Sequence, residues 1–275
     1  MVPVMSTNLA IQLRSELFSR YSLVPSEQWL NEFLSGSRNP SHPLAALTST
    51  AHFRLLSTDF TTTLSARQGQ TYPSTIADVN TKELVLQSDI PVQILDIQDT
   101  SVSKWTQIEA IERVERGEEI RGREVIRNVP GINDDEDGTS GEQGHGSSSR
   151  PSAATSSNTS GEARKGSTGP HKLLLQDVSG SKAWAFELSR IERITIVNSN
   201  PPLPRAATVP APVEGMQIGC KVVLKKGTKV RRGLIMMTPS NTMVMGGRVE
   251  SWDKKWRESR KATLMQGLDR ENDAG

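Results

Sequence analysis

Apolar residues open the chain at a spacing of four: Met5, Leu9, Leu13 and Leu17 share one face of a helix, while Gln12, Arg14, Glu16 and Arg20 occupy the rest. Pro25 and Ser26 interrupt this pattern. Ser26 can cap a second helix carrying Trp29, Leu30, Phe33 and Leu34, which Gly36 stops. A third helix starts near Pro43 and carries Leu44, Leu47, Ala51, Leu55 and Leu56, with Asp59 opening a further turn through Phe60 and Leu64. Three short helices, each apolar on one side, have to pack together.

From Asp89 the period changes to two. Ile90, Val92 and Ile94 alternate with polar or proline positions, then Leu95 and Ile97 continue on the other phase, which predicts a strand with a bulge. Lys172 to Val178, the turn Ser179-Gly180-Ser181 and the alternating set Trp184, Phe186 and Leu188 predict a hairpin. After a proline-rich connector, Asn198 to Pro212, a second hairpin is expected from Cys220–Leu224, the turn Lys225-Lys226-Gly227-Thr228 and a strand from Val230 to Met237. Val244 and Met245 form a short last strand, Gly246-Gly247 break it, and Trp252, Trp256, Ala262 and Leu264 lie on a charged closing helix. Roughly five short strands predict a small barrel.

Between the first strand and the first hairpin lies a long insertion. Its proximal half, Ser101 to Val129, carries Trp105, Ile108, Ile111 and Val114 at helical spacing. These side chains either fold back onto the barrel or serve as an apolar anchor for a partner. The distal half, Asn133 to Gly169, begins Asp134-Asp135-Glu136-Asp137 and continues in Gly, Ser, Thr and charged residues. That composition cannot bury enough apolar surface to offset ordering entropy, so disorder is expected.

Chemistry is sparse along the chain. The histidines, His42, His52, His145 and His171, are scattered and read as solvated or loop residues, and no phosphate loop, nucleophile elbow or dinucleotide fingerprint occurs. Neither a catalytic, a cofactor-binding nor a metal site is therefore assigned. One cysteine, Cys220, suits a reducing compartment, and no stretch reaches the length of a membrane span. The formal charge is only +2, yet Gly215 to Val249 contains no acidic residue. This makes Lys221, Lys225, Lys226, Lys229, Arg231 and Arg232 candidate contacts to DNA, weak and salt-dependent. Against base stacking, Trp184 and Phe186 have the parity of core-facing residues, and aromatics make up only 4% of the chain.

Three stretches carry a family resemblance: Leu55-Leu56-Ser57-Thr58-Asp59-Phe60, Lys172-Leu173-Leu174-Leu175-Gln176-Asp177-Val178, and Arg232-Gly233-Leu234-Ile235-Met236-Met237-Thr238-Pro239 running into Val244-Met245-Gly246-Gly247-Arg248-Val249. In this order they resemble the RecQ-mediated genome instability scaffold. The resemblance implies an α+β chain: an N-terminal three-helix segment over residues 1–70, then an OB-fold β-barrel over 71–250 with an insertion loop at 99–170, and a C-terminal helix and tail at 251–275. It also implies a non-enzymatic nuclear protein that partners topoisomerase III and a RecQ helicase, its insertion promoting decatenation and dissolution of double Holliday junctions. Ser103-Lys104-Trp105-Thr106-Gln107-Ile108 resembles the aromatic-containing start of the family's loop. The acidic, Gly/Ser-rich extension departs from the family in length and composition. A nucleic-acid-binding module using the basic hairpin is the rival reading.

Overall fold

The computed structural model describes residues 4–36, 43–67, 69–116, 169–196 and 215–273, and these hold six helices and eight strands. The expectations for the acidic and Gly/Ser-rich tract up to residue 168, for the connector 198–212, and for His42 and His145 lie outside the described residues.

The helical segment consists of α1 (Val4–Tyr21), α2 (Glu27–Gly36), α3 (Leu44–Leu56) and the single turn α4 (Phe60–Thr63). Its caps are those the sequence predicts: Ser26 Oγ accepts the Trp29 amide at 3.2 Å, and Asp59 Oδ1 accepts the Thr61 amide at 2.8 Å. Leu13, Leu17, Leu30, Phe33, Leu47, Ala51 and Leu55 close into one apolar cluster, which also takes in Val178 from the barrel. The helical core is thus continuous with the barrel at Val178.

The strands are β1 (Leu84–Val85), β2 (Ile90–Asp99), β3 (His171–Asp177), β4 (Lys182–Glu187), β5 (Lys221–Leu224), β6 (Lys229–Arg231), β7 (Leu234–Met237) and β8 (Thr242–Gly246). They form a curled mixed sheet in the order β1-β6-β7-β4-β3-β2-β5-β8, with β4 and β7 parallel and the other pairs antiparallel. This is an OB-fold half-barrel that follows the helices. The expected bulge is present, the β2–β3 register shifting between Ile94 and Asp96 so that both Ile94 and Ile97 point inward.

Four strand expectations need correction. Five strands become eight, and the second hairpin does not form. Leu86 exchanges backbone hydrogen bonds with Gly227 and Thr228, at 2.8 and 2.9 Å, and turns the chain a corner. In consequence β5 pairs with β2 and β8, whereas β6 pairs with β1 and β7. The strand expected from Val230 to Met237 also splits, because Arg232 and Gly233 both have positive φ, 48° and 75°, and form a two-residue turn between β6 and β7. Alternation of apolar residues does not register such a turn. Finally, Trp184, Phe186 and Leu188 do not face the core: Ala183 and Ala185 are buried instead, and Glu187 with them.

A polar network locks helices to barrel. Gln93, wholly buried on β2, accepts the Phe60 amide at 3.0 Å and the Lys221 ammonium at 2.9 Å through Oε1, and donates through Nε2 to Asp59 Oδ1 and Gln176 Oε1. Lys221 Nζ lies 4.7 Å from the centre of the Phe60 ring. At the other side of this junction, a side chain on Gly247 (φ 81°) would collide with the Leu56 carbonyl, so only glycine fits the corner between β8 and the closing helix α6 (Glu250–Asp273).

Burial pushes the Lys221 ammonium down to about 8, opposed by the Asp59 charge. Between that value and the ordinary 10.5, the unfolded chain retains a proton that the folded chain has released, so stability rises with pH. Measured by urea denaturation, the wild type should therefore gain on the order of 3 kcal/mol relative to Lys221→Met across this window. A difference that stays flat with pH would show that the buried cation is not desolvated.

Candidate partner-binding surface

The insertion leaves and re-enters the barrel at a tied root. Thr100 donates from its amide and its hydroxyl to the Pro170 carbonyl, at 3.0 and 2.6 Å, just beyond the last β2–β3 pair, Asp99 and His171. His171 is not a solvated loop histidine. It is fully buried, its Nδ1 2.6 Å from Glu187 Oε2, while Glu187 also accepts the His171 and Ile191 amides. Both carboxylate oxygens thus have donors, which offsets the cost of burying them.

Beyond the root the chain forms α5 (Lys104–Glu115), capped by Ser103, whose Oγ accepts the Thr106 amide at 3.1 Å. Glu109 and Arg113 pair along its surface at 2.7 Å. Of the predicted apolar stripe, Ile108 is buried and Ile111 and Val114 are half-buried against α6. Trp105 stands apart, 67% exposed. Three side chains of the stripe therefore fold back, and Trp105 projects into solvent.

Helix α6 clamps α5 in place. The Arg260 guanidinium donates to the Ile97 carbonyl at 3.2 Å and to Gln107 Oε1 at 2.9 Å, and it lies over the Trp256 ring. Gln107 in turn donates to the carbonyls of Asp99 and Val102. Trp256 Nε1 donates to Asp96 at 2.7 Å, Lys104 Nζ reaches the Gly267 carbonyl at 3.1 Å, and Lys261 bridges Glu112 and Glu115. Trp252 and Trp256 pack against the barrel core, so the closing helix is part of the barrel body. Among these clamp residues Arg260 and Lys261 carried no signal in the sequence, because their partners lie up to 163 positions away.

The basic candidates separate. Lys221 is fully buried in the helix–barrel network and offers no charge to a surface. Lys229 and Arg231 are exposed but share Glu83, at 3.5 and 3.0 Å, and the same pairing holds the Glu83 carboxyl below its usual range. Lys225, Lys226 and Arg232 are exposed. Counting acids only between residues 215 and 249 misses Glu83, which arrives from a distant part of the chain.

Cys220 is buried, and burial pushes its thiol up to about 11, far from the thiolate a nucleophile needs. Among the described residues no group of three or more His, Cys, Asp or Glu side chains is placed to hold a metal ion, and no helix is long and apolar enough to cross a membrane. Helix caps, barrel and inserted helix then meet the comparison with known proteins. A family model described as RMI1, N-terminal OB-fold domain, matches residues 72–202 and 207–260, and one described as RMI1, N-terminal helical domain, matches 17–63. The chain belongs to this family. It is 25% identical over 185 residues to the RecQ-mediated genome instability protein 1 of Schizosaccharomyces pombe, covering 66% of this chain and 65% of that relative. The match therefore spans just under two thirds of the relative's length. The helical model ends at residue 63, within the α4 turn that supplies Phe60 to the buried network, so the family's two parts meet at that network.

Arg260→Ala removes two hydrogen bonds and a ring contact from the α5 clamp, a local loss of about 1–3 kcal/mol. Amide exchange should accelerate roughly tenfold or more across residues 104–115. Protection in β2, β3 and β5 should be unchanged. Equal protection of α5 in variant and wild type would show that α6 does not hold it.

Proposed function

We propose that this chain is a non-catalytic scaffold and regulator of a RecQ helicase–topoisomerase III complex, acting in the nucleus. Its insertion, residues 99–170, promotes decatenation and double Holliday junction dissolution. Family membership and the RecQ-mediated genome instability name of the relative support a genome-stability role. The observation that carries the reading is the insertion root: a helix held between the end of β2 and α6 by part-buried hydrogen bonds that presents Trp105 to solvent. A large, ordered, exposed aromatic is the kind of residue that anchors protein interfaces.

A scaffold changes an enzyme's cycle only by binding one of its conformations more tightly than another. On this reading the insertion favours one state of the topoisomerase's DNA gate, and the barrel supplies affinity that does not distinguish the states. Residues 117–168 are then dispensable for association and required for regulation.

Two measurements test this. Replacing residues 117–168 with a short Gly-Ser linker between Arg116 and Gly169 should leave topoisomerase III binding at least partly intact while abolishing the stimulation of decatenation. Trp105→Ala should weaken binding by about tenfold or more. Undiminished decatenation with the shortened chain would rule out the gate role.

A further inference from the structure

On β4 the bulky side chains point away from the core. Lys182, Trp184 and Phe186 share the outer face, and Leu188, whose amide continues the β4–β7 ladder by donating to Met237, is 62% exposed. The inward positions hold only Ala183, Ala185 and the Glu187 that pairs with His171. A strand shaped for barrel stability alone would do the reverse, putting its aromatic rings inside and its alanines outside.

The register makes this a surface and not a row of isolated residues. Leu174 of β3, Trp184 of β4 and Leu234 of β7 are directly opposite one another, and so are Lys172, Phe186 and Met236. All six are half-buried, and none belongs to either apolar core cluster. The second row continues onto β2 at Gln98, next to Asp99 where the insertion leaves, and the first reaches Asp96, which accepts from the Trp256 of the clamping helix. The patch therefore runs to the end of β2, where the insertion leaves the barrel.

We infer that the outer face of β3, β4 and β7 is a docking surface for the same protein partner that the insertion engages, and that the partner offers it an apolar patch framed by carboxylates. This rests on the scaffold reading above. The contiguous Trp, Phe, Leu and Met side chains have the composition of an interface core. Lys172 and Lys182 supply positive charge on this face, whereas Asp96 is already engaged by Trp256 and Gln98. Stacked nucleotide bases fit less well, because Lys172 Nζ sits 4.5 Å over the Trp184 ring that a base would cover.

The test uses the full chain and purified topoisomerase III in titration calorimetry, with Leu188→Asp and the double variant Trp184→Ala/Phe186→Ala. Leu188→Asp should weaken binding by about tenfold or more with an unchanged Tm. The chain lacking residues 117–168 should keep measurable affinity through this face. Should a variant fail to fold, acetylation of the unaltered chain decides: Lys172 and Lys182 should be protected in the complex and reactive in the free protein. Variants that bind within about twofold of the wild type, with both lysines equally reactive, would overturn the face alone. Loss of affinity for a poly-dT oligonucleotide with topoisomerase binding kept would also overturn it, reassigning the face to nucleic acid. If the unaltered chain does not bind topoisomerase III at all, the scaffold reading falls, and this inference falls with it.

Discussion

Everything in this chain depends on β2 and β3 finding each other across the insertion. Seven residue pairs join them, yet Thr100 and Pro170 at the mouth are 70 positions apart. Loop-closure entropy grows only by about 0.6 kcal/mol for each doubling of length, so this gap costs about 2–3 kcal/mol more than a short hairpin would. Burying Ile94, Ile97, Leu173 and Leu175 contributes about 1.5–3 kcal/mol each before ordering entropy is counted. The pairing therefore tolerates a long insertion, and the Thr100–Pro170 bonds with the buried His171–Glu187 pair tie its mouth shut.

The order of elements was readable because it follows from local periodicity. Helical spacing at Leu9, Leu13 and Leu17, the cap at Asp59 and the bulge after Ile94 each depend on a few neighbouring residues, and each is found in the structure. What could not be read is which face of a strand looks inward. In β4 the hydrophobic parity points to Trp184 and Phe186, but the narrow interior accepts alanines there, and the larger side chains are left outside. Parity arguments assume that the more apolar face is buried, and a strand with apolar residues on both faces violates the assumption.

Charge was misread for a related reason. Lys221 and Lys229 look equivalent in a stretch without acids, yet one is sealed beneath Phe60 and the other meets Glu83 at the surface. The signal that separates them is Gln93, a polar residue between Val92 and Ile94 in an otherwise apolar strand. A buried amide needs partners from other segments, and Asp59, Phe60, Gln176 and Lys221 provide them. Since a buried cation is costly unless satisfied, this network is better understood as fixing how the helices sit on the barrel than as a source of stability.

The same distinction between stability and placement applies to α5. A helix of 12 residues is marginal in water on its own, so the root of the insertion is ordered only because α6 lies along it. Keeping Trp105 exposed on that helix forgoes the burial of a large apolar side chain. On the scaffold reading proposed above, the return is that an anchor already held in place loses little conformational freedom on binding, whereas an anchor on a free segment would have to be ordered at that moment. On the proposed reading the first helix of the insertion belongs to the barrel body, and the contact residue belongs to that helix, so part of the interface is in place before the partner arrives.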